Sequence, residues 1–199
     1  MTMENNTAPL KGLVLCGGFS TRMQEDKSKI NYHGMPQWQY LTTLLQSLLQ
    51  EVYLSCRPEQ LNDFPGYPQL IPDNVPYGGP SAGLLSAHLL QPNTAWLVLA
   101  CDLPLISRQS LEILIHARDK NKAATAFISP VNELPEPLIA IWEPAGLAAL
   151  QQNVIAGKNC PRKTMLHNDI NMLQNPYAAE QFNANTPEEK DKIFRDLII

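Results

Sequence analysis

Short apolar runs alternate along the chain with longer segments in which apolar residues recur at helical spacing. Residues 11–16, KGLVLC, are short and rich in strand-forming residues. Residues 36–49 instead place apolar side chains every three or four positions, which predicts an amphipathic helix. Residues 95–101, AWLVLAC, are apolar throughout, as is typical of a parallel strand that is buried on both faces.

The same criteria divide the rest of the chain. The predicted strands are residues 11–16, 51–56, a short run near Leu70, 95–101, 123–128 and 136–142. The predicted helices are residues 36–49, 78–90 after an opening turn, 107–120, 143–157 and 187–199. Ser107 is a candidate N-cap, and Gly157 a candidate closing glycine. The last helix has a complete start signal, in which Thr186, Pro187 and Glu189 form a capping box.

Strands that alternate with helices predict an α/β fold with a mostly parallel sheet and helices on both faces. In such sheets ligands bind beyond the carboxyl ends of the strands. The loops that follow Cys16, Cys56, Leu70 and Cys101 are therefore where we expect the chemistry.

Composition limits the function classes. The chain has 199 residues, 44% of them hydrophobic, enough for one compact core. We expect a flexible N-terminus over residues 1–9 and a single domain over residues 10–199. The net charge of −4 argues against general nucleic-acid binding, but local donors or a metal ion can still hold a phosphate. No secretory signal or membrane span is evident, so no membrane association is expected.

The four cysteines are Cys16, Cys56, Cys101 and Cys160, and they form neither a CxxC pair nor a zinc-finger spacing. Three of them, Cys16, Cys56 and Cys101, close a short apolar run, which predicts small, buried and reduced side chains. This pattern fits the cytoplasm.

The first candidate site follows the first strand. Gly17 and Gly18 let backbone amides approach a ligand closely, Arg22 can donate two hydrogen bonds to phosphate oxygens, and Lys27 can supply a point charge. Together these groups would hold a polyanion. The loop matches neither the P-loop nor the dinucleotide-binding glycine motif. An ordinary glycine turn flanked by surface charges explains the same residues equally well.

Three further segments carry candidate groups. Asp102 directly follows an apolar strand, where a carboxylate can hold a magnesium ion together with substrate phosphates, or can cap a turn. Asp73 precedes a glycine-rich helix start, at which the free amides of Gly79 and its neighbours can meet a ligand or simply allow close packing. Asn183 and Asn185 lie in the segment that caps the last helix and could orient a substrate.

In order along the chain, five motifs resemble those of the molybdenum cofactor guanylyltransferases, which are nucleotidyltransferases of the nucleotide-diphospho-sugar transferase fold. These motifs are LCGGFSTRMQEDK at residues 15–27, GPSAG at 79–83, CDLP at 101–104, PLIAIW at 137–142 and NANTPEE at 183–189. Four positions depart from the family pattern: Cys16 stands for alanine, Gln24 for glycine, Cys56 for an asparagine before Arg57, and Trp142 conservatively for tyrosine.

The resemblance implies a three-layer α/β/α fold and transfer of GMP from GTP to the terminal phosphate of molybdopterin, with Mg²⁺ as cofactor. Catalysis would rest on Arg22, Lys27 and Asp102, with Asp102 as metal ligand. The resemblance also implies that Leu15, Gly17 and Gly18 contact GTP and that Asp73 lies on the nucleotide side. The turn from Gly79 to Gly83 would recognise the base, and Asn183 and Asn185 would lie near molybdopterin. Transient contacts with other proteins of cofactor biosynthesis, or with acceptor proteins, would follow.

Three alternatives remain at this point. A cytidylyltransferase would act on the same pterin with a different base. A catalytically silent nucleotide-binding or carrier module would bind without releasing pyrophosphate. A sugar-phosphate nucleotidyltransferase fits the first motif but not the closing asparagine motif.

Overall fold

The fold is built on a seven-stranded sheet with strand order β3-β2-β1-β4-β6-β5-β7. It is seen in a computed structural model that describes residues 7–18 and 25–197. The strands are β1 (Leu10–Leu15), β2 (Val52–Cys56), β3 (Leu70–Pro72), β4 (Ala95–Ala100), β5 (Ala124–Ile128), β6 (Pro135–Trp142) and β7 (Asn171–Leu173). Only β6 among these runs antiparallel to its neighbours, so the sheet is mostly parallel, as predicted.

Helices cover both faces of the sheet and make three layers. In the part of the chain that the structure describes, they are α1 (Gln37–Gln46), α2 (Pro80–Leu90), α3 (Arg108–His116), α4 (Pro144–Ile155), α5 (Pro161–Leu166) and α6 (Pro187–Leu197). One apolar cluster joins α1 and α3 to the sheet, and a second joins α2, α4 and α5 to the opposite face. Every residue of β4 is buried between these layers, as the apolar run predicts.

Local signals in the sequence set several helix ends. The Ser107 hydroxyl accepts from the Ser110 amide at the start of α3, and Gly157 takes a left-handed φ of 78° just past α4. At the start of α6, Glu189 accepts from the amides of Asn185 and Thr186, while the Thr186 hydroxyl accepts from the Glu189 amide. The predicted capping box is confirmed.

The structure also corrects the predicted boundaries. Helix α1 ends at Gln46 instead of residue 49, and α3 ends at His116 instead of residue 120. Helix α5 and strand β7 were not predicted, because six and three residues are too few to establish a periodicity. No helix among residues 7–18 and 25–197 is long and apolar enough to cross a membrane.

The chain order places a switch point between β1 and β4. Strands β1, β2 and β3 extend the sheet in one direction, and the chain then returns to add β4 on the other side of β1. The two strands pair in parallel from Leu10 opposite Ala95 to Leu15 opposite Ala100. Their carboxyl ends therefore stop side by side, at the place where open α/β sheets bind ligands.

Candidate active site

A cavity opens at the switch point, and predicted residues from the loops after β1, β3 and β4 line it. Its empty space of about 650 Å³ includes volume that is open to solvent. The predicted site residues in its lining are Leu15, Gly17, Gly18, Lys27, Asp73, Gly79, Gly83 and Asp102. The structure therefore brings the glycine turn, Lys27 and Asp102 of the CDLP motif to one surface.

Side chains that donate hydrogen bonds to the backbone carbonyls hold the glycine turn after β1 in place. The Arg57 guanidinium donates from Nη1 to the carbonyls of Gly17 at 2.7 Å and Gly18 at 3.0 Å. The Gln60 amide donates to the carbonyl of Cys16 at 3.3 Å. The N–H and C=O groups of a trans peptide point in opposite directions. The amides of Gly17 and Gly18 therefore point away from Arg57 and Gln60, and both glycines line the cavity.

Gly17 is required for steric reasons. A Cβ at this position would come within 2.5 Å of Oδ2 of Asp73, whereas a Cβ at Gly18 would meet nothing within 4 Å. Gly83 is similarly confined, since its Cβ would lie 2.3 Å from the Ser55 hydroxyl. This glycine allows α2 to approach the ends of β1 and β2. Gly79 precedes α2 with φ 70° and ψ −163°, a conformation open almost only to glycine.

Lys27 opens a short 3-10 helix, Lys27–Lys29, whose N-cap is Asp26. Its ammonium donates to the Asn185 side-chain oxygen at 2.6 Å and lies 3.6 Å from a carboxylate oxygen of Asp102. The Lys27 side chain is 18% exposed. A cation in this position faces the cavity and can exchange these neutral and acidic partners for a ligand's phosphate oxygens.

The two acids that follow β3 and β4 are both partly withdrawn from water. Burial raises the pKa of the Asp102 carboxyl, and the charge of Lys27 opposes this rise. Burial also raises the pKa of Asp73, while a hydrogen bond from the Ser55 hydroxyl at 2.7 Å and the charge of Arg57 act in the opposite direction. Asp73 is thus oriented by Ser55, whereas Asp102 forms an ion pair with Lys27.

The segment before α6 closes one side of the site. The Ala184 amide donates to the backbone carbonyl of Asp102 at 2.9 Å, and Asn185 accepts from Lys27. The side chains of Lys190 and Glu25 also form an ion pair. Beneath these contacts, a small apolar cluster packs the buried core of α6 against the chain that follows Lys27. Its buried members are Ile30, Tyr32, Ala184 and Ile193.

Among the predicted residues that the structure describes, Asn183 and Asn185 are not part of this cavity lining. Asn185 still contacts Lys27 at the edge of the site, whereas Asn183 is exposed. Arg22 lies outside the described residues, as does the departure at Gln24. Their predicted roles stay predictions.

Several residues that shape the site were not identified from the sequence. Ser55 orients Asp73, Asp26 caps the turn that presents Lys27, and Arg57 and Gln60 hold the glycine turn. Asp26 had a local signal, since an aspartate two residues before a serine can form such a cap. Gln60 had a local signal only for its contact with the Arg57 amide, three positions away, because its other partners, Cys16 and Asp26, lie 44 and 34 positions away in the chain.

Comparison with known proteins points to one family. The sequence profile of the MobA-like NTP transferase domain matches residues 12–170. A molybdenum cofactor biosynthesis bifunctional protein of Synechocystis sp. is 35% identical, and the match covers 93% of this chain and 54% of that protein. A molybdenum cofactor guanylyltransferase of Pseudomonas fluorescens is 30% identical, with coverage of 94% of this chain and 95% of that protein.

Solved structures show the same fold. Molybdopterin-guanine dinucleotide biosynthesis protein A of Archaeoglobus fulgidus superposes with a TM-score of 0.78 at 19% identity, covering 94% of this chain and 97% of that one. A CMP:2-keto-3-deoxy-manno-octonic acid synthetase, solved with CTP, superposes with a TM-score of 0.72 at 14% identity, covering 96% and 99%. At these identities the likeness concerns the fold alone.

We expect Gly17→Ala to be the more damaging of two neighbouring substitutions. The added methyl group would push Asp73 away from Ser55, which should lower the free energy of unfolding by about 1–3 kcal/mol. Gly18→Ala meets open space and should change it by less than about 0.5 kcal/mol. Urea unfolding of both variants measures this difference. Equal losses in the two variants would contradict the tight packing at Gly17.

Proposed function

Because this chain belongs to the MobA-like NTP transferase family, we propose that it transfers GMP from GTP to the terminal phosphate of molybdopterin. The products are the guanine dinucleotide form of the cofactor and pyrophosphate. One observation carries the proposal: Gly17, Gly18, Lys27 and Asp102 all line a single cavity at the switch point of the sheet.

The relatives support the choice of substrates. The guanylyltransferase of Pseudomonas fluorescens matches over nearly its whole length, and further relatives with that name match this chain at 26–30% identity. The Synechocystis protein is bifunctional, and this chain spans about half of its length. We therefore propose only the guanylyl-transfer activity for this chain.

The reaction is a substitution at phosphorus. An oxygen of the acceptor's terminal phosphate would form a bond to the α-phosphorus of GTP, and the bond from that phosphorus to the bridging oxygen of the β-phosphate would break. Pyrophosphate leaves with the bonding electron pair. The nucleophile is already an anion at neutral pH, so the chain's task is alignment and charge stabilisation, without a strong general base.

The residues of the cavity divide this task. The amides of Gly17 and Gly18 would donate to phosphate oxygens, and Lys27 would exchange its contacts with Asn185 and Asp102 for the leaving pyrophosphate. Arg22, by the family resemblance, would add a second cation. Asp73, oriented by Ser55, and the turn from Gly79 to Gly83 would bind the nucleoside, since a carboxylate can accept from the N–H groups of guanine.

Asp102 is a suitable ligand for Mg²⁺. Its carboxylate follows β4, lines the cavity and is 22% exposed, and carboxylate oxygens are ligands that this hard cation prefers. Asp102 would hold Mg²⁺ there, and the ion would supply positive charge that stabilises the phosphates. Lys27 would donate to the nucleotide.

The acceptor would bind on the side of the last motif. Asn185 already contacts Lys27 between the nucleotide cavity and α6, and Asn183 is exposed nearby. Both are proposed to orient molybdopterin. The transfer is proposed to take place in the cytoplasm, with transient hand-over of the product to other proteins of cofactor biosynthesis or to acceptor proteins.

The direct test incubates the purified chain with Mg²⁺, molybdopterin and either GTP or CTP. We expect pyrophosphate release and formation of the guanine dinucleotide with GTP, at a rate at least ~10-fold above that with CTP. Faster reaction with CTP would assign a cytidylyltransferase instead. Binding of nucleotide with no pyrophosphate from either would identify a silent binding module.

Asp102→Asn should lower turnover by ~10²-fold or more while the protein stays folded. Because burial disfavours the charged form of Asp102, the neutral amide should not lower the free energy of unfolding. Asp169→Asn is the matched control, since Asp169 is an exposed partner of Lys122. Turnover of Asp102→Asn that equals the wild type and survives chelation of Mg²⁺ would remove Asp102 from the metal site.

Lys27→Met should raise the KM for GTP by about 10- to 100-fold, because a charged hydrogen bond to phosphate is lost. Lys11→Met is the matched control: the two lysine side chains are similarly buried, at 18% and 15% exposed, but Lys11 pairs with Glu51 at the start of β1. Steady-state kinetics compare the two variants. Equal KM values in both would show that Lys27 does not meet the nucleotide.

A further inference from the structure

Gln60 is a buried polar residue that no motif of the sequence singles out. It lies in a short 3-10 helix, Pro58–Asp63, which follows β2, and it is 2% exposed. A buried amide is stable only when its donors and acceptor are satisfied. The partners that satisfy Gln60 all belong to elements that build the nucleotide cavity.

Each polar group of this amide is used. Its oxygen accepts from the backbone N–H of Arg57 at 3.1 Å, and its nitrogen donates to the Cys16 carbonyl at 3.3 Å and to Oδ2 of Asp26 at 2.9 Å. The other oxygen of Asp26 accepts from the amide and hydroxyl of Ser28. Gln60 thus connects three separate stretches of chain through one side chain.

These contacts join the two phosphate-facing elements of the site. The Cys16 carbonyl belongs to the same peptide group as the amide of Gly17, so a donor on that carbonyl sets the direction of the amide. Asp26 is the N-cap of the turn that begins at Lys27, so a donor on its carboxylate sets the position of that turn. Gln60 lies between them and determines their spacing.

We infer that Gln60 is a positioning residue that holds the Gly17 amide and the Lys27 ammonium at the separation needed to bind one polyphosphate. Arg57, at the N-cap of the same 3-10 helix, completes the arrangement by donating to the Gly17 and Gly18 carbonyls. The inference rests on the proposed function for the identity of the ligand. The contacts themselves do not depend on which nucleotide binds.

The hydrogen-bond partners at position 60 favour glutamine over other residues of similar size. It needs two donors and one acceptor, which an amide supplies. Glutamate would direct a carboxylate at the Asp26 carboxylate and at a carbonyl, both of which are acceptors. Methionine would fill the volume without any donor. The other charged groups on the elements that meet here are Lys27, Lys29, Arg57, Glu59 and Asp63, of which Lys29 pairs with Asp63 and Glu59 with Arg57.

The test uses the full chain with Gln60→Met and Gln60→Glu, with GTP and Mg²⁺ as probes. Gln60→Met should raise the KM and the dissociation constant for GTP by ~10-fold, which corresponds to the loss of one or two net hydrogen bonds. Its effect on kcat should be smaller. Unfolding midpoints are measured alongside, so that binding is compared at a temperature where every variant is folded.

Gln60→Glu gives a readout that a purely structural role would not change. Repulsion by Asp26 raises the pKa of the introduced carboxyl, and its protonated form can donate to Asp26 again. GTP affinity relative to the wild type at the same pH should therefore be lowest near pH 8 and should recover toward pH 5.5. This variant also keeps the test valid if Gln60→Met does not fold.

Asn171→Asp is the matched control. Asn171 donates from its amide to the Ala117 carbonyl at 2.8 Å at the opposite edge of the sheet, so the same amide-to-acid change occurs away from the cavity. GTP affinity of this variant should follow the wild type at every pH. If the Gln60 variants lose stability but keep wild-type GTP affinity, KM and pH profile, the inference is wrong.

The design separates this inference from the proposed function. Affinities for GTP and CTP are measured without molybdopterin, so they report on Gln60 even if the wild type transfers no nucleotide. Absence of transfer by the wild type would overturn the proposed function only. Weakened, pH-dependent nucleotide binding in the Gln60 variants would still support the positioning role.

Discussion

The parallel pairing of β1 with β4 is the interaction on which the site depends. The register that pairs Leu15 with Ala100 places Cys16 beside Cys101 at the carboxyl edge of the sheet. The residues that follow each of these two strands therefore line one cavity. Amide donors then emerge from one strand and a carboxylate from the other. A shift of two residues in this register would move the two groups apart by about 7 Å. Every side chain of β4 is buried between the apolar layers, so such a shift would require both layers to repack.

Lys27 and Asp102 pair with each other inside the cavity. Lys27 lies between the Asn185 amide oxygen and the Asp102 carboxylate, and burial disfavours the charge on Asp102. Under the proposed function, a nucleotide with its metal ion would offer each group a stronger partner: phosphate oxygens for Lys27 and a cation for Asp102. The site is thus held in place by contacts that the proposed substrates can replace, while Arg57 and Gln60 act on carbonyl groups that the substrates do not need.

Much of this arrangement could be predicted from the sequence, because it depends on local patterns. Strand and helix periodicity identified six of the seven strands, and the start of α6 at the Thr186 capping box was read directly. Ligands of open α/β sheets bind beyond the carboxyl ends of the strands, so the loops after Cys16, Leu70 and Cys101 were predicted to form the site. These loops supply Gly17, Asp73 and Asp102 to one cavity. Short elements could not be predicted in this way: β7 has three residues, which are too few to show an apolar periodicity. The chemical roles of these site residues stay predictions.

The sequence by itself determined the class of fold and the edge of the sheet at which such folds bind ligands, and it supplied candidate residues for phosphate, since each follows from neighbours along the chain. Tertiary structure decided which of them meet. Nothing local indicates that Asn185 contacts Lys27, 158 positions away, or that Ser55 orients Asp73. Nor does any pattern reveal that Gln60 joins the glycine turn to the Asp26 cap. Such contacts depend on how buried side chains pack once the sheet has formed, and hydrogen-bond geometry in three dimensions leaves no period in the sequence.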